Sequence, residues 1–152
     1  MKFEHQATIA APVDQVWKFL LDVPRVAKCA PGVEEVEPLE DGKYRGTLKV
    51  NVGPIRLTLK GDLTILEQDE AVWKASMRAD AADRGAGGAV KAVLTMQLVE
   101  LPGATPSTQL NLEADAQIMG RIGEFGQPVI RKKADQMVGE FTKNIQAAIL
   151  AG

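Results

Sequence analysis

Two side chains in this sequence are of the types that act as nucleophile, general base or zinc ligand in many enzymes. They are His5, the only histidine, and Cys29, the only cysteine. His5 lies in a predicted strand without the cluster of Cys, Asp or Glu that a zinc site or a histidine-centred triad requires. Cys29 precedes Ala30-Pro31 and has no histidine close in the sequence, which is typical of a small buried apolar residue. We therefore predict no catalytic residue and no metal site.

Three glycines, Gly120, Gly123 and Gly126, separate the last predicted strand from the last predicted helix. Their spacing fits neither G-x-G-x-x-G nor G-x-x-x-x-G-K-[ST], so we predict no nucleotide site. Two interpretations of this segment remain open. It is either a flexible joint, in which Ile122 and Phe125 cover the mouth of a cavity, or a plain tight connection.

Four basic residues, Arg121, Arg131, Lys132 and Lys133, lie near the start of the last predicted helix. The helix macrodipole disfavours cations at a helix N-terminus, so their presence there points to an external partner. An anionic membrane surface attracts each nearby Lys or Arg by about 1 kcal/mol, which would allow transient docking. We predict these four residues as membrane or partner contacts. A helix face that is simply solvated is the alternative.

Charge and composition exclude several classes of function. The 152 residues carry a formal net charge of −2, whereas nucleic-acid binding needs clustered Lys and Arg, so we expect no DNA or RNA partner. The start of the chain is too polar for a secretory signal, and a single cysteine cannot form an internal disulfide. No stretch approaches the roughly 20 consecutive apolar residues that span a bilayer. We expect a cytoplasmic protein, with any membrane contact peripheral at the inner face of the cell membrane.

Alternation of apolar and polar residues with a period of two runs from Val33 to Met119 and predicts an antiparallel sheet. The clearest alternation extends from Ile55 to Ile65, after a turn at Gly53-Pro54. The predicted strands cover residues 3–10, 44–52, 55 onward, 71–81, 88–101 and 108–119.

Helical periodicity marks both flanks of the predicted sheet. An early helix begins after Ala11-Pro12 with Val13, Val16, Trp17 and Leu20 as its apolar stripe. The last helix has a broad apolar face and a length of about 22 residues, or ~33 Å. This order predicts an α+β fold in one domain, residues 1–152, in which the long C-terminal helix closes a curved sheet into a helix grip.

Small and flexible residues recur at the predicted inward positions of three strands. Short side chains on a concave face leave room for a ligand, but they also admit close helix packing. The pattern alone does not separate a cavity from a solid core. The residues are Ala75, Met77, Ala79, Ala81, Ala92, Met96, Ala114 and Ala116.

Several short motifs follow one another along the chain. They are Ala11-Pro12 through Val16-Trp17, Leu20-Leu21-Asp22, Cys29-Ala30-Pro31-Gly32-Val33, Asp41-Gly42-Lys43-Tyr44, Val52-Gly53-Pro54-Ile55, Gly85-Ala86-Gly87-Gly88, and a C-terminal set of Gly120, Phe125, Gly126, Phe141 and Asn144. In this order, and over nearly the whole chain, they resemble the CoxG family, which takes its name from a subunit of carbon monoxide dehydrogenase.

The resemblance implies a START-like, birch-pollen-allergen-like (SRPBCC) helix grip, which encloses a hydrophobic cavity for lipids, sterols and other apolar molecules. It also implies an association with molybdenum-containing carbon monoxide dehydrogenases and related hydroxylases, with no catalytic set to carry over. We therefore expect a non-catalytic carrier or membrane-recruitment factor that binds an isoprenoid, such as a quinone or related lipid, and no metal or covalent cofactor. The expected ligand contacts, from strand alternation and helix stripe, are Leu57, Leu59, Leu63, Trp73, Met77, Leu94, Met96, Leu112, Phe125, Ile130, Met137 and Phe141.

Two other functions remain open. The protein could be an assembly or tethering factor for the hydroxylase, with its cavity filled by side chains. It could also be an enzyme of the cyclase or hydrolase kind, but that would require ionisable residues on the inward faces, where the sequence shows almost none.

Overall fold

A computed structural model describes residues 1–85 and 87–151. Ala86, which belongs to the Gly85-Ala86-Gly87-Gly88 motif, and Gly152 lie outside the described residues. The helices are α1 (Val13–Leu21), α2 (Val23–Ala27) and α3 (Gln127–Leu150), and short 3-10 segments cover Glu70–Val72 and Arg121–Phe125. The strands are β1 (Lys2–Ile9), β2 (Val33–Pro38), β3 (Lys43–Val52), β4 (Ile55–Asp69), β5 (Lys74–Asp83), β6 (Gly88–Leu101) and β7 (Ser107–Gly120).

The seven strands form one antiparallel sheet in the order β1-β7-β6-β5-β4-β3-β2. From β2 to β7 the strands follow one another as hairpins, whereas β1 pairs with β7, the last strand in the chain. The helices α1 and α2 occupy the long connection between β1 and β2. One face of every strand therefore points towards the helices, and the predicted α+β helix grip is confirmed.

The predicted turn at Gly53-Pro54 joins β3 to β4, and Val52 pairs with Ile55 across it. Gly53 has a φ of +57°, in the left-handed region that glycine enters without the steric cost of a Cβ. This turn fixes the register of the hairpin, so the alternating residues of both strands share one inward face.

β5 begins at Lys74 and not at Ala71, where the alternation predicts it. The Asp69 carboxylate accepts a hydrogen bond of 3.1 Å from the Ala71 backbone N–H, and Glu70–Val72 forms a 3-10 turn. Trp73 then adopts a φ of 54° before the strand starts. A local side-chain to backbone hydrogen bond therefore replaces the strand conformation that the residue types favour.

The buried side chains form two separate clusters. The first, which we call the α1 cluster, includes Trp17, whose ring packs edge-on against Trp73 with 5.6 Å between centroids. Its buried members are Ile9, Ala11, Val13, Val16, Trp17, Phe19, Leu20, Cys29, Ala75, Leu98, Leu110, Ile145 and Ile149, with Leu21, Val26, Trp73, Met96, Leu112, Phe141 and Ala148 packed against them. The second, the hairpin cluster, consists of Val52, Leu57, Leu59 and Ile122, with Leu48, Val50, Ile55, Ala81, Val90, Ile118 and Phe125 packed against them.

The helix α3 has 24 residues, two more than the periodicity predicts, and is about 36 Å long. Ile145 and Ile149 bury its C-terminal half in the α1 cluster. On the side of the α2–β2 connection, the Asn144 amide donates a hydrogen bond of 2.9 Å to the backbone oxygen of Cys29. In its N-terminal half, Arg131 donates a hydrogen bond of 2.8 Å to the backbone oxygen of Lys2. These contacts hold the helix at its flanks and its C-terminal end.

Candidate ligand site

The register of the sheet places inward-facing residues of neighbouring strands side by side. Ala79 of β5 is opposite Ala92 of β6, and Ala92 is opposite Ala116 of β7. We call these three residues the alanine row. At the next inward-facing position along the same two strands, Met77 is opposite Leu94. Because their side chains are single methyl groups, these three residues extend less far into the concave space than the longer and more flexible side chains beside them.

Five of the twelve predicted ligand contacts belong to neither the α1 cluster nor the hairpin cluster. All five are only partly buried, although they face the space between sheet and helix. Apolar side chains in a solid core are almost completely shielded by their neighbours, so this exposure indicates a space that solvent reaches. The five are Leu63 on β4, Met77 on β5, Leu94 on β6, and Ile130 and Met137 on α3.

The total accessible surface supports the same conclusion. It amounts to 9052 Å², whereas a folded monomer of 16.4 kDa is expected to expose about 7,500 Å². The chain thus exposes about 1,500 Å² more than a compact monomer of its mass. We refer to the region between α3 and the alanine row, bounded by the two clusters, as the grip space.

The structure divides the twelve predicted ligand contacts into three groups. Leu63, Met77, Leu94, Ile130 and Met137 border the grip space. Trp73, Met96, Leu112 and Phe141 pack against the α1 cluster, and Leu57, Leu59 and Phe125 belong to the hairpin cluster. Leu57 and Leu59 are only 3% and 6% exposed, so they are packed more tightly than the contacts of the first group. The first group is therefore the one best placed to contact a ligand.

The 3-10 segment Arg121–Phe125 packs against the hairpin end of the grip. Ile122 is buried and lies so close to Gly88 that a Cβ at that position would collide with its side chain. Phe125 lies 3.7 Å from the position that a Cβ on Gly53 would occupy, in the β3–β4 turn. Ile122 and Phe125 thus cover one end of the concave face. Motion of this segment stays a prediction.

The surroundings of His5 differ from those that the sequence predicts. Its Nε2 lies 3.2 Å from Oδ1 of Asp135 on α3, so a carboxylate accompanies the ring after all. The sequence did not single out Asp135, because it is far along the chain and lies outside the apolar stripe of its helix; a single carboxylate is not the cluster that a zinc site or a triad needs. One signal was available, since His5 alternates with Phe3 and Ile9 and therefore faces inward. Within the described residues, no three His, Cys, Asp or Glu side chains are grouped as metal ligands would be.

Cys29 is a buried residue of the α1 cluster, as its sequence context predicts. Its Sγ lies 3.8 Å from the backbone oxygen of Arg25. Burial raises the pKa of the Cys29 thiol, and the Arg25 guanidinium only partly opposes this effect. The thiol is therefore protonated at neutral pH, which is the unreactive form.

Cys29 is expected to react far more slowly with a thiol-specific disulfide reagent in the folded protein than in the unfolded chain. The thiolate is the nucleophile, and both burial and the raised pKa reduce its availability. The rate is measured by absorbance at neutral pH, with and without guanidinium chloride. Equal rates in the two conditions would contradict the assignment.

The four predicted basic contacts have different environments. The Arg131 guanidinium donates a hydrogen bond to the backbone oxygen of Lys2 and lies 5.1 Å from the centre of the Phe3 ring, so it holds α3 against β1. Arg121 and Lys132 are exposed, and Lys133 is partly buried. Arg121 and Lys132 are thus the most accessible of the four to an outside partner.

Two shallow depressions lie on the convex side of the sheet, away from α3. Their volumes are about 750 and 680 Å³, and charged or amide side chains such as Lys91, Glu113 and Gln97 line them. An apolar ligand would gain little there, because the polar groups would lose water without compensation. The concave face, with its apolar side chains, is therefore a better candidate ligand site than these two depressions.

Residues 6–150 match the family described as CoxG, a subunit of carbon monoxide dehydrogenase. The chain belongs to the CoxG family. The match covers part of β1 and the whole of the other six strands and of α3. No curated protein is similar enough to this CoxG protein to count as a match.

Solved structures similar to this CoxG protein share its fold. A conserved protein from Geobacillus kaustophilus has a TM-score of 0.88 at 20% identity, with 99% of this chain and 96% of that chain covered. A norcoclaurine synthase from Thalictrum flavum has a TM-score of 0.69 at 15% identity, with coverages of 99% and 94%. The ZhuI aromatase/cyclase of a Streptomyces species has a TM-score of 0.61 at 25% identity, with coverages of 99% and 92%. These likenesses confirm the helix grip, a fold that also occurs in enzymes.

Across residues 1–85 and 87–151 of this CoxG protein, no helix has both the length and the apolar character that spanning a membrane requires.

Proposed function

We propose that this CoxG protein binds the apolar part of an isoprenoid lipid, such as a quinone, in the grip space. In this proposal it acts as a carrier or membrane-recruitment factor for a molybdenum-containing carbon monoxide dehydrogenase or related hydroxylase, and catalyses no reaction itself. The observation that supports ligand binding most directly is the set of five partly buried apolar residues between the two packed clusters.

The energetic reason is the cost of leaving these side chains in contact with water. Each ligand methylene group that replaces water in the grip space gains about 0.8 kcal/mol. An isoprenoid tail supplies many such groups in a flexible chain, and Met77 and Met137 adapt to irregular shapes because the thioether side chain is unbranched. A long, narrow apolar ligand therefore suits the site better than a compact polar one.

The family and the chemistry of electron transfer both support the proposed role as a carrier. A dehydrogenase in the cytoplasm must pass its electrons to acceptors in the membrane, and a quinone needs an apolar binding site to leave the bilayer. Arg121 and Lys132 are exposed beside the helix end of the grip, where an anionic lipid surface would attract them. The protein would thus receive its ligand at the membrane and present it to the enzyme.

Purified protein is expected to carry a stoichiometric isoprenoid or quinone. Native mass spectrometry would show the mass of the complex, and organic extraction would identify the ligand. Protein that carries no lipid, and that also fails to bind added quinones of different tail lengths, would contradict the proposal. That result would favour a protein tether, which a pull-down of the hydroxylase without lipid would support.

A further inference from the structure

The His5–Asp135 pair brings polar groups to a concave face that is otherwise mainly apolar. His5 is opposite Leu112 of β7, which packs against the α1 cluster. The next inward row along β1 runs from Phe3 through Ala114 to Leu94, so His5 lies one row from a residue of the grip space. The side chain of His5 is 21% exposed, whereas that of Asp135 on the helix is 64% exposed. The ring is therefore neither sealed in the core nor free in solvent.

The contact with Asp135 determines which nitrogen of a neutral His5 ring carries the proton. Two lone pairs facing each other at 3.2 Å would repel, so Nε2 must present its N–H to the carboxylate. In the neutral ring, Nδ1 then has a lone pair and no proton. Such a nitrogen accepts a hydrogen bond from a hydroxyl group, but it has no proton to donate to a carbonyl oxygen.

The other polar side chains on this face either do not make the same distinction or lie away from His5. The Thr108 hydroxyl already donates a hydrogen bond of 2.8 Å to the backbone oxygen of Ala11. The Asp83 carboxylate, which accepts one of 2.7 Å from the backbone N–H of Thr58, would also accept from a hydroxyl, but it lies at the end of β5, opposite Gly88. Tyr44, across the sheet beside Leu63, has a phenol that both donates and accepts. Selectivity between hydroxyl and carbonyl ligands can therefore arise at His5.

We propose that His5, oriented by Asp135, accepts a hydrogen bond from a hydroxyl group on the ring of the ligand, so that the grip space prefers a hydroxylated head to a carbonyl or ether head. For a quinone carrier this means a preference for the reduced, dihydroxy form over the oxidised, dicarbonyl form. The inference rests on the proposed function, because it presupposes an apolar ligand in the grip space. It adds a specificity-determining residue to that site.

The test compares an alkylphenol with a ten-carbon chain and its methyl ether, which keeps the shape but lacks the O–H donor. Binding is measured by calorimetry at neutral pH for the wild type and for His5→Phe, which keeps a ring of similar size without nitrogen. The ratio of the two affinities in His5→Phe corrects for any intrinsic difference between the ligands. We expect the wild-type ratio to favour the phenol by a further threefold to tenfold, as one neutral hydrogen bond would give.

Variants at Asp135 separate a role in orientation from a structural role. Asp135→Ala frees the tautomer and should lower the ratio. Asp135→Asn, whose amide can accept from Nε2–H or donate to Nε2, should lower it by less. Glu4→Ala, beside His5 in the chain but on the opposite face of the strand, should leave the ratio unchanged. The Asp135 variants also test the inference if His5→Phe fails to fold.

The outcomes distinguish this inference from the proposed function. Tight binding of both ligands with the same ratio in the wild type and His5→Phe would overturn the role of His5 and leave the lipid site intact. A ratio that stays the same in Asp135→Ala would overturn the orienting role. Failure of the wild type to bind either ligand would overturn both proposals.

Discussion

Replacing Ala92 with phenylalanine is expected to weaken the binding of an isoprenoid ligand by roughly a hundredfold while the protein remains folded. Ala92 is the middle member of the alanine row and has Ala79 and Ala116 as its neighbours in register. A phenyl ring at this position would occupy the room of about four ligand methylene groups, which corresponds to about 3 kcal/mol of lost burial. Fluorescence or calorimetric titration with a quinone of fixed tail length gives the affinity.

The control for this variant is Val93→Phe. Val93 follows Ala92 on the same strand, but it lies on the convex face and is 42% exposed. The same added ring should therefore leave affinity unchanged. The variants also test the grip space by stability, since overpacking a solid core costs about 1–3 kcal/mol. If Ala92→Phe loses that much stability in urea while Val93→Phe does not, the concave face is filled and the lipid proposal fails.

The sequence predicts most of the fold because the alternation along the strands is regular. From Ile55 to Ile65 every second residue is apolar or Gly61, and the structure places this run on one inward face of β4. The C-terminal stripe predicts α3 for a similar reason, since Ile145 and Ile149 recur at helical spacing and are buried together. Patterns of this kind determine which face of each element is buried.

The candidate site was harder to predict, because it depends on how far apart two apolar faces remain. Alternation assigns Leu57 and Leu63 to the same face of β4, yet Leu57 packs in the hairpin cluster and Leu63 borders the grip space. Their difference arises from the 3-10 segment, whose Ile122 covers one end of the sheet and not its centre. No local pattern contains that information.

The sequence also did not predict the polar contacts between segments that are distant along the chain. The sequence predicted that Arg131 would contact a membrane or partner. In the structure, its guanidinium donates a hydrogen bond to the backbone oxygen of Lys2 and lies over the Phe3 ring. No sequence pattern linked His5 to Asp135, which α3 brings to within 3.2 Å of it. Both contacts form along the seam between β1 and α3, and this seam exists only once the first strand has paired with the last.

The similar solved structures identify the fold of this chain but do not identify its function. Norcoclaurine synthase and the aromatase/cyclase are enzymes on the same scaffold, with 15% and 25% identity to this chain. A shared helix grip does not transfer their chemistry, since function depends on the residues of the site. For this CoxG protein those residues are mainly apolar, which is why ligand binding, and not a reaction, is the proposal to test.

Replacing Gly61 with alanine is expected to destabilise the protein by roughly 3 kcal/mol or more, the largest stability effect that we predict for a single methyl group. Gly61 pairs with Gly46 on one side and Ala81 on the other. A Cβ on Gly61 would collide with the backbone oxygen of Asp80 and lie 2.5 Å from Cα of Ala81. Backbone cannot rotate away as a side chain can, so β4 and β5 would have to separate. Urea unfolding monitored by tryptophan fluorescence measures the loss.

Gly139→Ala is the matched control, because a Cβ there would meet nothing within 4 Å. Gly139 lies on the exposed side of α3, where alanine favours the helix over glycine by about 0.8–1 kcal/mol. The same chemical change should therefore stabilise the protein at Gly139 and destabilise it at Gly61. A Gly61→Ala protein as stable as the wild type would mean that β4 and β5 are further apart at this point than the structure places them.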